Sequence, residues 1–160
     1  MSDKNFNTNI DNNDCWLTPP YVLKGLGEFD LDPCSPINRP WDTAKSHYTI
    51  EDDGLTKSWG NKRVFLNPPY GRVTFDWLHK LSQHKNGIAL LFARTETIGF
   101  HREIWDKAMS IFFFKGRLKF YTIDGIESDS PNAPSCLVAY DIFNSLAIKN
   151  AGFKGRYILL

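Results

Sequence analysis

The sequence predicts an α/β domain on a mainly parallel sheet, with an antiparallel pair of strands late in the chain. Three observations predict it. Short apolar runs alternate with segments of helical spacing, as in parallel strands joined by crossovers. Val64-Phe65-Leu66 and Gly87–Phe92 are unbroken apolar runs of strand length, the pattern of buried strands. The late strands at 110–121 and 136–140 are joined by a stretch rich in Gly, Pro, Ser and Asp, which fits an antiparallel pair better than a crossover.

The elements follow in order. Thr18-Pro19-Pro20 opens a helix over Tyr21–Leu26, with Thr18 able to cap it and Gly27 ending it. Phe29–Asp32 is a short strand leading into Pro33-Cys34-Ser35. Residues 36–62 are polar and fit only a short helix or irregular structure, and they contain Glu51-Asp52-Asp53-Gly54-Leu55. Arg63–Leu66 is the second strand, and Thr74–Leu81 a helix with Phe75, Leu78 and Leu81 inward. Gly87–Phe92 is a strand followed by Ala93-Arg94-Thr95, and Phe100–Ala108 a helix. Ser110–Phe114 is a strand that Gly116–Tyr121 continues after a break. Cys136–Tyr140 is a strand, Asn144–Asn150 a helix and Arg156–Leu160 a closing strand. In open α/β sheets ligands bind at the carboxyl ends of the strands, and the loops carrying Asp32, Asn67 and Arg94 all fall there.

Composition narrows the setting. A chain of 160 residues suits one domain, here residues 15–160 after an Asn- and Asp-rich mobile tail at 1–14. That start lacks the pattern of a signal peptide, and no apolar run reaches the roughly 20 residues of a membrane span. Three separated cysteines show no zinc spacing, so no metal is expected and a reducing, cytoplasmic setting is the default. Residues 1–60 carry five Lys/Arg against ten Asp/Glu, and residues 61–160 fourteen against eight. The second half could face a polyanion, though a solvated surface explains the charge equally well. His47, His79, His84 and His101 are scattered and read as surface residues.

Asn67-Pro68-Pro69-Tyr70, directly after a buried strand, carries the chemistry. The Asn67 side-chain oxygen and the Pro68 carbonyl can accept hydrogen bonds from one planar NH2 group. The prolines fix φ and have no N–H, which keeps the carbonyls aimed and unpaired. The Tyr70 ring offers a flat face for stacking. The combination suits an exocyclic or amide nitrogen about to be alkylated.

The ordered set Trp16-Leu17-Thr18-Pro19-Pro20, Asp30-Leu31-Asp32-Pro33-Cys34, Asp52-Asp53-Gly54-Leu55, Trp59, Asn67-Pro68-Pro69-Tyr70-Gly71, Ala93-Arg94-Thr95 and Lys115-Gly116-Arg117-Leu118-Lys119-Phe120 resembles the small phage-type DNA N6-adenine methyltransferases. The resemblance spans most of residues 15–140. It implies a compact Rossmann-like methyltransferase fold, S-adenosylmethionine as cofactor, DNA as partner and the cytoplasm of a phage's bacterial host as location. It implies that Asn67, Pro68, Pro69 and Tyr70 are catalytic, with Tyr70 stacking on a flipped adenine. Thr18, Pro19, Asp32, Pro33, Cys34, Asp53 and Asn67 would border the cofactor. Tyr70, Arg72, Arg94, Arg117 and Lys119 would contact DNA.

The chain departs from larger relatives of that kind. Asp-Pro-Cys-Ser-Pro stands where a Gly-x-Gly loop is usual, and only about thirty residues separate Asp32 from Arg63, so a sheet reduced in strand number is expected. Alternatives stay open at several residues. Asp32 and Thr18 also read as helix caps, Asp53 as an exposed acidic turn, Arg94 as a strand end, and Arg117 and Lys119 as a solvated face. The same motif would serve methylation of an RNA base or a protein glutamine amide, and a catalytically inactive nucleic-acid-binding module is the rival from another class. Monomer and homodimer are both compatible with the sequence.

Overall fold

The structure, a computed structural model, describes residues 16–160. The segment 1–14, read as a tail, lies outside the described residues, as does Cys15. Among the described residues seven strands form one mixed sheet: β1 (Leu31–Asp32), β2 (Ser46–His47), β3 (Val64–Leu66), β4 (Gly87–Phe92), β5 (Ser110–Phe114), β6 (Ser135–Ala139) and β7 (Gly155–Leu159). Their spatial order is β2-β1-β3-β4-β6-β5-β7. The first four run parallel, with Leu31 opposite Val64 and Leu66 opposite Ala89. β6 enters antiparallel between β4 and β5, and β7 adds antiparallel outside β5. The antiparallel part is therefore larger than the single pair expected. Gly155 permits the last pairing, because a Cβ there would lie 2.1 Å from the Phe113 carbonyl oxygen.

Among the described residues four α-helices cover the sheet: α1 (Pro20–Leu26), α2 (Val73–His84), α3 (Ile98–Phe100) and α4 (Ile142–Asn150). The apolar run of β4 is buried along most of its length because both faces are covered. Ala89 and Leu91 join Leu78 and Leu81 of α2 and Phe100 of α3 in one core cluster. Ile88 and Leu90 join Val22 and Leu26 of α1, Ile148 of α4, and Leu118 and Phe120 in the other. No helix among the described residues is long and apolar enough to cross a membrane.

Several expectations are corrected. Thr18 does not cap α1: Pro19 holds the cap position and no side-chain cap bond forms. The first strand is only Leu31–Asp32, and residues 36–62 take the irregular of the two forms expected, with the two-residue β2 as an unexpected addition. The economy expected between Asp32 and Arg63 is thus one very short strand. Residues 100–108 are not one α-helix, because α3 passes into a π-helical turn at His101–Trp105. There the Asp106 amide reaches back to the His101 carbonyl at 3.0 Å. Tyr140 Oη donates to the Glu103 carbonyl at 2.6 Å and anchors the widened turn.

The strand at 110–114 does not resume after Gly116. That residue has φ +78°, and the following segment has no ladder partner until Tyr121, which bridges Leu17 and Glu127. Its alternation survives without a strand: Leu118 and Phe120 are buried, while Arg117 and Lys119 are exposed. His47 is not a surface residue. Its side chain is largely covered, and it accepts from the Thr43 amide at 3.3 Å and meets Arg39 Nη2 at 2.9 Å.

Candidate active site

Because β1, β3 and β4 are parallel, their carboxyl ends share one edge of the sheet. The turn after β3 sits there. Asn67 Nδ2 donates to the Trp16 carbonyl at 3.1 Å and lies 3.5 Å from Thr18 Oγ1. Both contacts use the amide's donor side, which leaves Oδ1 pointing elsewhere. Among the described residues nothing donates to Asn67 Oδ1 or to the Pro68 carbonyl. The next carbonyl is different, because Pro69 O accepts the Thr74 hydroxyl at the start of α2. Two successive residues of the turn are therefore left with an unpartnered acceptor among the described residues, while the next carbonyl is occupied.

The Tyr70 ring lies flat on Phe92 at the end of β4, with centroids 4.3 Å apart and planes 7° apart. Phe120 meets Phe92 edge-on at 6.3 Å and 87°. Burial raises the Tyr70 phenol well above its ordinary pKa, so it stays protonated. The segment carrying Phe120 belongs to the long connection between β5 and β6, and a connection of that length in a small domain is usually functional. Leu17 and Tyr121 exchange backbone bonds of 2.7 and 2.9 Å. The strap that holds Asn67 is thereby tied to the segment carrying Arg117 and Lys119.

The loop after β1 is built differently. Asp32 is buried, and both carboxylate oxygens are engaged: Oδ1 accepts the Cys34 amide at 3.0 Å and Oδ2 accepts the Thr43 hydroxyl. Burial raises its pKa to about 6, against the opposing pull of Thr43, Cys34 and Arg39. Asp32 therefore shapes the Pro33-Cys34 loop rather than presenting a free carboxylate. Thr43 in turn donates its amide to His47, so the network runs Asp32–Thr43–His47–Arg39.

Asp53 is exposed, in the left-handed region at φ +54°. Gly54 follows it, and a Cβ there would lie 2.0 Å from the Pro33 carbonyl oxygen. Only glycine lets the acidic turn close against the β1 loop. Lys80 of α2 holds the turn from the other side, donating to the Leu55 carbonyl at 2.8 Å and also to that of Lys57. The acidic turn and the β1 loop are thus brought together where Gly54 meets the Pro33 carbonyl. Arg72, Arg94, Arg117 and Lys119 are all exposed, and Lys119 pairs with Glu127 at 3.7 Å. Among the described residues no cluster of His, Cys, Asp and Glu could hold a metal ion.

The comparisons with known proteins bear on this edge. The sequence profile of the family described as DNA N-6-adenine-methyltransferase (Dam) matches residues 5–151. The chain belongs to this family. The matched span takes in all of the carboxyl-edge loops and most of the segment read as a tail. A DNA N-6-adenine-methyltransferase of Haemophilus phage HP1 (strain HP1c1) is 27% identical over 145 residues, 84% of this chain and 83% of the relative. A DNA N-6-adenine-methyltransferase of Escherichia phage T1 is 31% identical over 121 residues, 71% of this chain and half of the relative. No solved structure matches the chain.

In this member of the DNA N-6-adenine-methyltransferase family, sequence reasoning missed Phe92, Thr43 and the Trp16 carbonyl. Phe92 looks like any strand-end aromatic, and its role depends on a partner 22 residues earlier. Thr43 sits in an irregular stretch with no periodicity to mark it, and a backbone carbonyl leaves no trace in residue identity. The one available signal was Trp16-Leu17-Thr18 recurring with Asn-Pro-Pro-Tyr in the resemblance.

Proposed function

We propose that this protein transfers a methyl group from S-adenosylmethionine to N6 of adenine in DNA, on a compact Rossmann-like methyltransferase fold. The observation that carries the reading is the pair of unpartnered acceptors, Asn67 Oδ1 and the Pro68 carbonyl, on a turn whose next carbonyl is already taken. An adenine N6 has two hydrogens, and the two acceptors match them. The amine's lone pair is delocalised into the ring, which makes it a poor nucleophile. Accepting both hydrogens favours a pyramidal nitrogen and the positive charge that grows on it during transfer. S-adenosylmethionine, when bound, supplies the electrophilic methyl.

The chain's own residues do the rest. Pro68 and Pro69 hold the turn so that the acceptors need no reorganisation. The bonds from Asn67 Nδ2 to Trp16 and Thr18 select the amide orientation that offers oxygen to the substrate. Tyr70 stacks on the base once it leaves the duplex, which offsets part of the few kcal/mol that flipping costs. The one proton that the methylated nitrogen loses goes to water, since neither acceptor is basic enough to keep it. Thr18, Pro19, the Asp32-Pro33-Cys34 loop and Asp53 flank the cofactor. Asp32 acts there through the shape of its loop, because its carboxylate is already engaged. Arg72, Arg94, Arg117 and Lys119 meet the DNA backbone and position it without reading sequence.

The test is to incubate the protein with methyl-labelled S-adenosylmethionine and a mixture of DNA, RNA and cell protein, then digest and separate the products. N6-methyladenine from DNA is the expected product. Label in an RNA base or a glutamine amide would keep the chemistry and replace the substrate. Absence of both label and cofactor binding would overturn the reading.

A further inference from the structure

We propose that Phe92 is a positioning residue for the transfer reaction: it fixes the plane of the Tyr70 ring against which the target base is laid. The inference rests on the proposed reaction and concerns a residue outside the Asn-Pro-Pro-Tyr motif. The two prolines set the backbone of the turn, but they do not set the side-chain torsions of Tyr70. Something else must hold the ring, and Phe92 is placed to do so. The rings are parallel within 7° at 4.3 Å, a full stacking contact.

Phe92 is itself held. It is the last residue of β4, so the sheet sets its backbone. Phe120 closes on it edge-on at 6.3 Å, and Ser135 stands directly opposite on β6. Cross-strand partners share a face of the sheet, so Ser135 and Phe120 limit the movement of the Phe92 ring. Tyr70 is thus the outer member of a ladder rooted in the core. Among the described residues no second ring lies on Tyr70, so its other face carries no aromatic partner. A flat heteroaromatic base adds there as the third layer. Phe92 never touches the base. It acts through Tyr70, by removing the rotamer freedom that the base would otherwise have to freeze on entering.

A role in packing alone predicts a different outcome from a role in positioning. Packing would tie any loss of activity to a loss of stability, and it would treat an aliphatic side chain of similar size as a fair substitute. Positioning requires a flat ring. The full-length protein is therefore compared with Phe92→Leu and Phe92→Tyr. Three quantities are measured: turnover, KM for S-adenosylmethionine, and the fluorescence of 2-aminopurine placed at the methylated adenine of a duplex. Melting temperature is recorded for each variant.

We expect Phe92→Leu to lower kcat by roughly tenfold, the scale of a modest misplacement, with KM for the cofactor unchanged. We expect it to alter the 2-aminopurine signal of the bound complex, and Phe92→Tyr to restore both. Wild-type kcat and signal in a folded Phe92→Leu variant would overturn the inference. So would failure of Phe92→Tyr to restore a deficit that Phe92→Leu shows, because ring planarity would then not be the property that matters. The wild-type control separates the two levels: a wild type without turnover counts against the proposed reaction, whereas an active wild type with an equally active Leu variant counts against Phe92 alone.

Discussion

The turn after β3 and the loop after β1 occupy the same edge of the sheet, and each offers an oxygen-bearing side chain at a strand's carboxyl end. They use those oxygens in opposite ways. Asn67 spends its donors on Trp16 and Thr18, and among the described residues neither its Oδ1 nor the Pro68 carbonyl has a donor. Asp32 spends both acceptors inward, on Cys34 and Thr43, and is buried. One group keeps an acceptor unengaged and the other is engaged within the loop that carries it. A polar residue at the right edge is therefore not yet a ligand; what matters is which of its atoms remain unpartnered.

That contrast can be broken at either end. The largest effect is expected at the free acceptor. Asn67→Ala should lower kcat by about 10²–10³-fold, the cost of losing one preorganised group at a site of developing charge. Its melting temperature should move little, and the check is steady-state methylation beside a thermal melt.

The next effect belongs to Asp32 and appears in stability. Its folded pKa, about 6, is raised above the unfolded value near 3.8. Between those values the folded state binds more protons than the unfolded one, so stability falls as pH rises from about 4 to 6 and stays reduced above. The total is on the order of 3 kcal/mol. Asp32→Asn, which can still accept from Cys34 and can donate to Thr43, should flatten this dependence. Melting curves at pH 4.5 and 7.5 for both proteins decide it, and an unchanged slope in the variant would exclude Asp32 as the source.

Thr43→Val should be smaller, about 1–3 kcal/mol of destabilisation at pH 7, because it leaves a buried carboxylate oxygen without its donor. Denaturant titration reads it directly. The smallest effect is expected at Ser135, a fully buried residue whose hydroxyl has no partner among the described residues, unlike Ser110, which accepts from Ser145 at 2.8 Å. Ser135→Ala should be neutral or stabilising by up to about 1 kcal/mol, whereas Ser110→Ala should destabilise. Equal losses in the two variants would mean that Ser135 has a partner after all.

How legible these regions were follows from where their order originates. β4 could be read because six consecutive apolar residues have few alternatives to a strand covered on both faces. The Asn-Pro-Pro-Tyr turn could be read because prolines act locally and dictate their own backbone. The order in residues 117–120 reads as a strand in the sequence, since alternating burial imitates the period of a ladder that the fold lacks there. The π-helical turn at His101–Trp105 depends on a hydroxyl from Tyr140, far along the chain. The Asp32–Thr43 bond and the Tyr70–Phe92 stack are likewise tertiary, and neither partner is marked by its neighbours in sequence.

If the free acceptor, and not the engaged carboxylate, supports the proposed transfer, the two side chains separate in one experiment. It is the single-turnover rate of N6-methyladenine formation in DNA, with S-adenosylmethionine saturating, for wild type, Asn67→Ala and Asp32→Asn. We expect a collapse of the rate in Asn67→Ala and a rate near wild type in Asp32→Asn. A retained rate in Asn67→Ala, or an equal collapse in Asp32→Asn, would contradict this reading.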